Sequence, residues 1–109
     1  MNIQDITLRA AEAEQFLKAL ANRNRLTIIC ELHVGERAVT ELAATAGLSQ
    51  SALSQHLARL RGDGLVTTRR EGTSIFYALA DARVSCLVSL LHDLYCNADC
   101  DPHTKETFT

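Results

Sequence analysis

The sequence predicts a mainly helical fold carrying a β-hairpin wing, that is, a winged helix-turn-helix. Three observations predict it. Between residues 39 and 61 a short helical segment, a glycine-containing turn and a second helix with short polar side chains follow one another. Leu65 to Arg70 and Ser74 to Leu79 are rich in β-branched and aromatic residues, and Glu71-Gly72-Thr73 between them reads as a hairpin turn. Amphipathic helices precede and follow this unit, giving the order helix-helix-helix-helix-strand-strand-helix.

From Asp5 to Leu20, the residues Ile6, Ala10, Ala13, Phe16, Leu17 and Leu20 recur at helical spacing with Glu12, Glu14 and Lys18 between them, predicting one continuous amphipathic helix. Asn22 suits the cap of a second helix, Arg23 to Val34, which stops before Gly35. A third spans Val39 to Ala46. Gly47 suits a left-handed helix end, and Ser49 suits the cap of a fourth helix, Gln50 to Arg61. That helix halts at Gly62-Asp63-Gly64. After the hairpin, a fifth helix fills Asp81 to Cys96 with the apolar stripe Val84, Leu87, Val88, Leu91, Leu94 and Tyr95.

At 109 residues the chain is one domain's worth. Residues 1–98 read as one winged helix-turn-helix domain, and residues 99–109, which include Pro102, as a polar, flexible tail. No stretch approaches the roughly 18 apolar residues of a membrane span. The start, Met1-Asn2-Ile3-Gln4-Asp5, lacks a basic region followed by an apolar run, so a cytoplasmic location is expected. In that reducing compartment Cys30, Cys86, Cys96 and Cys100 are not read as a static disulfide framework. Metal binding, redox sensing and plain burial remain open for them.

The formal net charge is −2, yet it is unevenly spread. Ser49 to Ala80 carries +2, from Arg59, Arg61, Arg69 and Arg70 against Asp63 and Glu71. Asp81 onward carries −3, and the first 48 residues −1. The local positive segment is the one that matters for phosphate contact.

In the fourth helix Leu53, Leu57 and Leu60 share one face and should pack inward. Gln50, Ser51, Ser54, Gln55 and Arg59 lie off that face. Gln can bond adenine bidentately, Ser can reach base or phosphate, and Arg can reach guanine or phosphate. His56, beside Leu57, reads as half-buried, bonding backbone or phosphate, rather than as a metal ligand. Arg69 and Arg70 near the hairpin tip would in isolation be a solvated edge strand. After a helix-turn-helix they read, with Thr73 in the turn, as contacts to the DNA backbone or minor groove. No nucleophile elbow, glycine-rich phosphate loop or helical zinc-protease motif is present, so no enzyme is expected.

Leu17-Lys18-Ala19-Leu20-Ala21-Asn22, Arg25-Leu26, the run from Leu48 to Leu57 with its Ser54-Gln55-His56-Leu57 heart, and Gly64-Leu65-Val66 together resemble the ArsR/SmtB family of bacterial repressors. The resemblance spans about Phe16 to Cys96. It implies a winged-helix homodimer built on the first and last helices, binding an inverted repeat in double-stranded operator DNA, with an inducer that lowers DNA affinity.

Family members that bind arsenite or lead often carry Cys-x-Cys at the start of the third helix, where this chain has Ala38-Val39-Thr40-Glu41. Members that bind zinc, cobalt or nickel through the last helix use Asp-x-His near its start, where this chain has Asp81-Ala82-Arg83. His92 remains, but Tyr95 stands three residues on. The chain instead resembles the sulfide-responsive, persulfide-sensing branch (SqrR/BigR-like), which implies that Cys30 and Cys96 are joined as a disulfide or polysulfide by reactive sulfur species. No cofactor is expected on that reading. Cys86 falls opposite the apolar stripe and reads as incidental. The rival is an arsenite or zinc site built from Cys96, Cys100 and a third thiol, or from His92, Cys96 and Cys100.

Overall fold

A computed structural model describes residues 2–96 of the chain. Among them are six helices and three short strands: α1 (Ile3–Leu8), α2 (Ala10–Leu20), α3 (Arg23–Val34), β1 (Arg37–Ala38), α4 (Val39–Ala46), α5 (Gln50–Gly62), β2 (Val66–Glu71), β3 (Ser74–Leu79) and α6 (Ala82–Tyr95).

The punctuation of the chain sets most of these boundaries. The Asn22 side chain accepts from the backbone N–H groups of Asn24 and Arg25 at 3.0 and 3.1 Å, satisfying two of the unpaired donors that open α3. Ser49 accepts from Ala52 N–H at 3.1 Å and opens α5 in the same way. Gly47 takes a left-handed backbone, φ +66°, so that the Leu48 N–H turns back onto the Ala43 carbonyl at 3.1 Å. The helix-turn-helix angle is set there.

One expectation needs correction. The single helix expected from Asp5 to Leu20 is broken at Arg9, whose backbone (φ −112°, ψ 18°) leaves helical geometry. The Thr7 hydroxyl donates to the Ile3 carbonyl at 3.1 Å, a back-bond that bends helices. The Arg9 N–H then closes on Ile6 O at 3.0 Å in a tighter turn. The apolar spacing runs through this break without recording it.

The strands form one antiparallel sheet in the order β1-β3-β2. Pairing runs from Val66 opposite Leu79 to Glu71 opposite Ser74, and Gly72-Thr73 make the turn between them. β1 adds Arg37 opposite Tyr77 and Ala38 opposite Phe76. Sequence periodicity missed β1 because two residues are too few to alternate.

The core lies where α3 meets α4, α5, α6 and β3. Ile28, Ile29, Leu42, Leu53, Leu57, Leu60, Leu65 and Val84 are fully buried there. The outer helices bury less than their spacing predicted. Of the α6 stripe only Val84 and Val88 are buried. Ile6, Leu17, Leu90, Leu94 and Tyr95 remain exposed, so α1, α2 and α6 leave apolar surface uncovered in the single chain.

Candidate nucleic-acid interface and thiol groove

α5 divides into two faces. Leu53, Leu57 and Leu60 pack inward, as expected. Gln50, Ser51, Ser54, Gln55, Ala58 and Arg59 are all exposed and share one outward strip at i, i+4, i+8 spacing. His56 is half-buried between the two faces. Thirteen residues at about 1.5 Å rise give roughly 20 Å of helix, enough for one major-groove pass.

Arg59 is held at the end of this strip. Its Nε donates to Asp63 at 3.1 Å, and Gln15 of α2 reaches the other Asp63 oxygen at 3.4 Å. The i,i+4 spacing of Arg59 and Asp63 is a local signal of this pair, legible in the sequence.

Arg69, Arg70 and Thr73 are exposed on the β2–β3 hairpin. Arg69 makes two bonds to the Glu36 carboxylate, at 2.7 and 2.8 Å, and one to Glu71 at 2.7 Å. Its guanidinium also lies over the Phe76 ring, 4.5 Å from the centroid. Those acids hold the Arg69 pKa above its ordinary value, and Arg69 holds that of Glu36 below its own. Glu36 carried no sequence signal, because its partner lies far along the chain.

A second surface lies between α3 and α6. There a groove of about 770 Å³ is lined by Leu26, Cys30, His33 and Val34 from α3 and by Val88, Leu91, His92, Tyr95 and Cys96, among others, from α6 and its end. The fold therefore brings the two thiols singled out in the sequence to one largely apolar groove. Cys30 is exposed over the residue as a whole, yet partial burial pushes its thiol pKa up, with smaller contributions from the nearby charges of Glu31 and Cys96. Cys86 is exposed and does not line the groove.

Among the described residues, no group of three or more His, Cys, Asp or Glu side chains could hold a metal ion. Cys100, which both versions of the alternative metal site require, lies outside the described residues, as does the expected 99–109 tail. At the start of α6, Asp81 caps the helix by accepting from Arg83 N–H at 2.9 Å and pairs with the Arg83 guanidinium. That guanidinium in turn lies 4.9 Å from the centroid of Phe16, tying α6 to α2.

Comparison with known proteins decides the family. The family described as bacterial regulatory protein, arsR family, matches residues 22–68. The transcriptional activator HlyU of Vibrio cholerae is 50% identical over 99 residues, covering 91% of this chain and 92% of that protein. The chain belongs to the ArsR family. Among solved structures, the ArsR-family chain is similar to the transcriptional repressor BigR of Xylella fastidiosa, with TM-score 0.85 and 41% identity over 88% of this chain and 98% of that one. It is also similar to a homodimeric winged helix-turn-helix DNA-binding domain of Mycobacterium bovis, with TM-score 0.74 and 32% identity over 100% and 95% of the two chains. ArsR-family membership makes the chain a transcriptional regulator with a DNA-binding winged helix, not an enzyme. No helix of the described residues is long and apolar enough to cross a membrane.

Proposed function

We propose that the chain is a cytoplasmic, homodimeric repressor whose hold on operator DNA is released when reactive sulfur species join Cys30 to Cys96. The observation that carries this reading is the shared groove: two thiols distant in sequence, one on α3 and one at the end of α6, line the same largely apolar groove. The likeness to BigR, a transcriptional repressor, supports the repressor assignment.

In this reading α5 enters the major groove with Gln50, Ser51, Ser54, Gln55 and Arg59, while His56 bonds the backbone from its half-buried position. The wing, which carries Arg69, Arg70 and Thr73, lies along the adjoining phosphates and offers them its exposed Arg70 and Thr73. A two-fold dimer through the uncovered apolar faces of α1, α2 and α6 presents two α5 helices. The operator is then an inverted repeat with half-sites about one helical turn apart, roughly 34 Å, or a multiple of it.

The switch chemistry needs no oxidant beyond the persulfide itself. Each thiolate attacks the outer sulfur of a small persulfide RSSH, forming a protein persulfide and releasing the thiol RSH. Attack of the Cys30 thiolate on the inner sulfur of a Cys96 persulfide gives a disulfide and H₂S. Attack of one protein persulfide on the inner sulfur of the other gives a trisulfide and H₂S. A disulfide requires Cα atoms within about 4.4–6.8 Å, whereas each added sulfur lengthens the bridge by one bond of about 2.05 Å. A link between α3 and α6 strains both the reading head and the dimer-forming helix. A differential of about 1–3 kcal/mol between states is enough to switch DNA binding.

The test is anaerobic treatment with glutathione persulfide followed by non-reducing peptide mapping. A cross-linked peptide pair containing Cys30 and Cys96, with zero or more extra sulfurs, is the predicted product. Cross-links confined to Cys100 would defeat the assignment.

A further inference from the structure

The hairpin changes character at Arg69. At Tyr77 and at Phe76, the partner of Arg69, β3 is flanked on both sides, by β2 and by β1. Beyond it only two strands remain, Arg70 opposite Ile75 and Glu71 opposite Ser74, and a two-stranded ribbon twists and flexes readily. Arg69 sits at that transition. Its guanidinium crosses Phe76 on the central strand and grips Glu36, which immediately precedes β1 at the far edge of the sheet. Both Glu36 oxygens are engaged, the bidentate geometry that gives an arginine–carboxylate pair direction as well as strength. Glu71 takes a third donor, so two carboxylates surround one cation and a phosphate approaching Arg69 meets net negative charge. Arg70 points to the opposite face of β2 and makes no ion pair among the described residues.

We propose that Glu36 and Arg69 form a strap across the sheet that fixes the angle of the wing, so that Arg69 is a positioning residue and Arg70 is the arginine that meets phosphate. The strap anchors the wing to the segment leaving α3. The proposal rests on the reading of the wing as a DNA contact.

The test uses the reduced full-length protein and a duplex obtained by in vitro selection with the parent. Glu36→Gln, Arg69→Gln, the double variant and Arg70→Gln are compared by fluorescence anisotropy across a salt series. Glu36→Gln and Arg69→Gln should each weaken binding by roughly three- to tenfold, and the double variant no more than the worse single, as expected of one coupled pair. Their salt slopes should match the parent. Arg70→Gln should lower the slope by about 0.9 per protomer. In ¹⁵N relaxation spectra, the Gly72 and Thr73 amides should become more mobile in the two strap variants while core amides and thermal midpoints stay put. Arg69→Gln lowering the slope, or Glu36→Gln tightening binding by freeing a phosphate-binding cation, would overturn the strap alone. Arg70→Gln leaving affinity and slope unchanged would remove the wing from the DNA, and this proposal with it.

Discussion

Cys30 on α3 and Cys96 at the end of α6 line the same apolar groove, and partial burial there raises the Cys30 thiol pKa above its ordinary value of 9.0. The thiolate is the reactive form, so a raised pKa makes it the minor species at neutral pH. Alkylation of Cys30 by iodoacetamide, followed by peptide mass spectrometry, should therefore speed up about tenfold per pH unit through pH 8 to 9 without levelling. A plateau below pH 9 would contradict the assigned direction.

The outward strip of α5 is the second point of contact with experiment. Replacing Gln50, Ser54 or Gln55 with Ala should weaken specific binding, by about 1–3 kcal/mol where a bidentate base contact is lost, and relax base preference at one position of each half-site. Binding to random duplex should change little. Unaltered preference in all three variants would move the reading surface away from α5.

Stability should follow burial and caps. Replacing Leu57, essentially fully buried on the inner face of α5, with Ala should cost about 2–5 kcal/mol. Asn22→Ala removes the side-chain oxygen that holds two N–H groups of α3 and should cost about 1 kcal/mol. Urea unfolding of the reduced protein measures both. A cap variant as costly as the core variant would mean that Asn22 does more than open the helix.

These sites differ in how far the sequence announced them. Asn22, Gly47 and Ser49 are local signals, each acting within a few residues, and the boundaries of α3, α4 and α5 follow from them. The inward faces of Leu53, Leu57 and Leu60 follow from helical spacing alone. The break at Arg9 does not, because Ile6, Ala10 and Ala13 keep their spacing across it while the backbone at Arg9 leaves helical geometry. The Glu36–Arg69 contact exists only once β1 has joined the sheet, and no local pattern encodes it. The groove is of the same kind: resemblance points to Cys30 and Cys96, but the groove they share depends on α3 packing against α6.

The exposed apolar residues of the outer helices give a test of assembly. Leu17 is 54% and Leu90 52% exposed, an unfavourable state for side chains at regular helical positions unless a second copy covers them. Sedimentation at micromolar concentration should show a dimer for the parent and a monomer for a Leu17→Glu, Leu90→Glu double variant. A monomeric parent would contradict the dimer.

The most direct measurement of the central claim is operator release followed by anisotropy under anaerobic conditions, with glutathione persulfide and arsenite titrated separately against the parent and against Cys30→Ser, Cys96→Ser and Cys100→Ser. The account predicts that all four proteins bind when reduced, that persulfide releases the parent and Cys100→Ser, and that Cys30→Ser and Cys96→Ser stay bound. Release of Cys30→Ser by persulfide while Cys100→Ser stays bound, or release of the parent by arsenite at a lower concentration than persulfide, would contradict it.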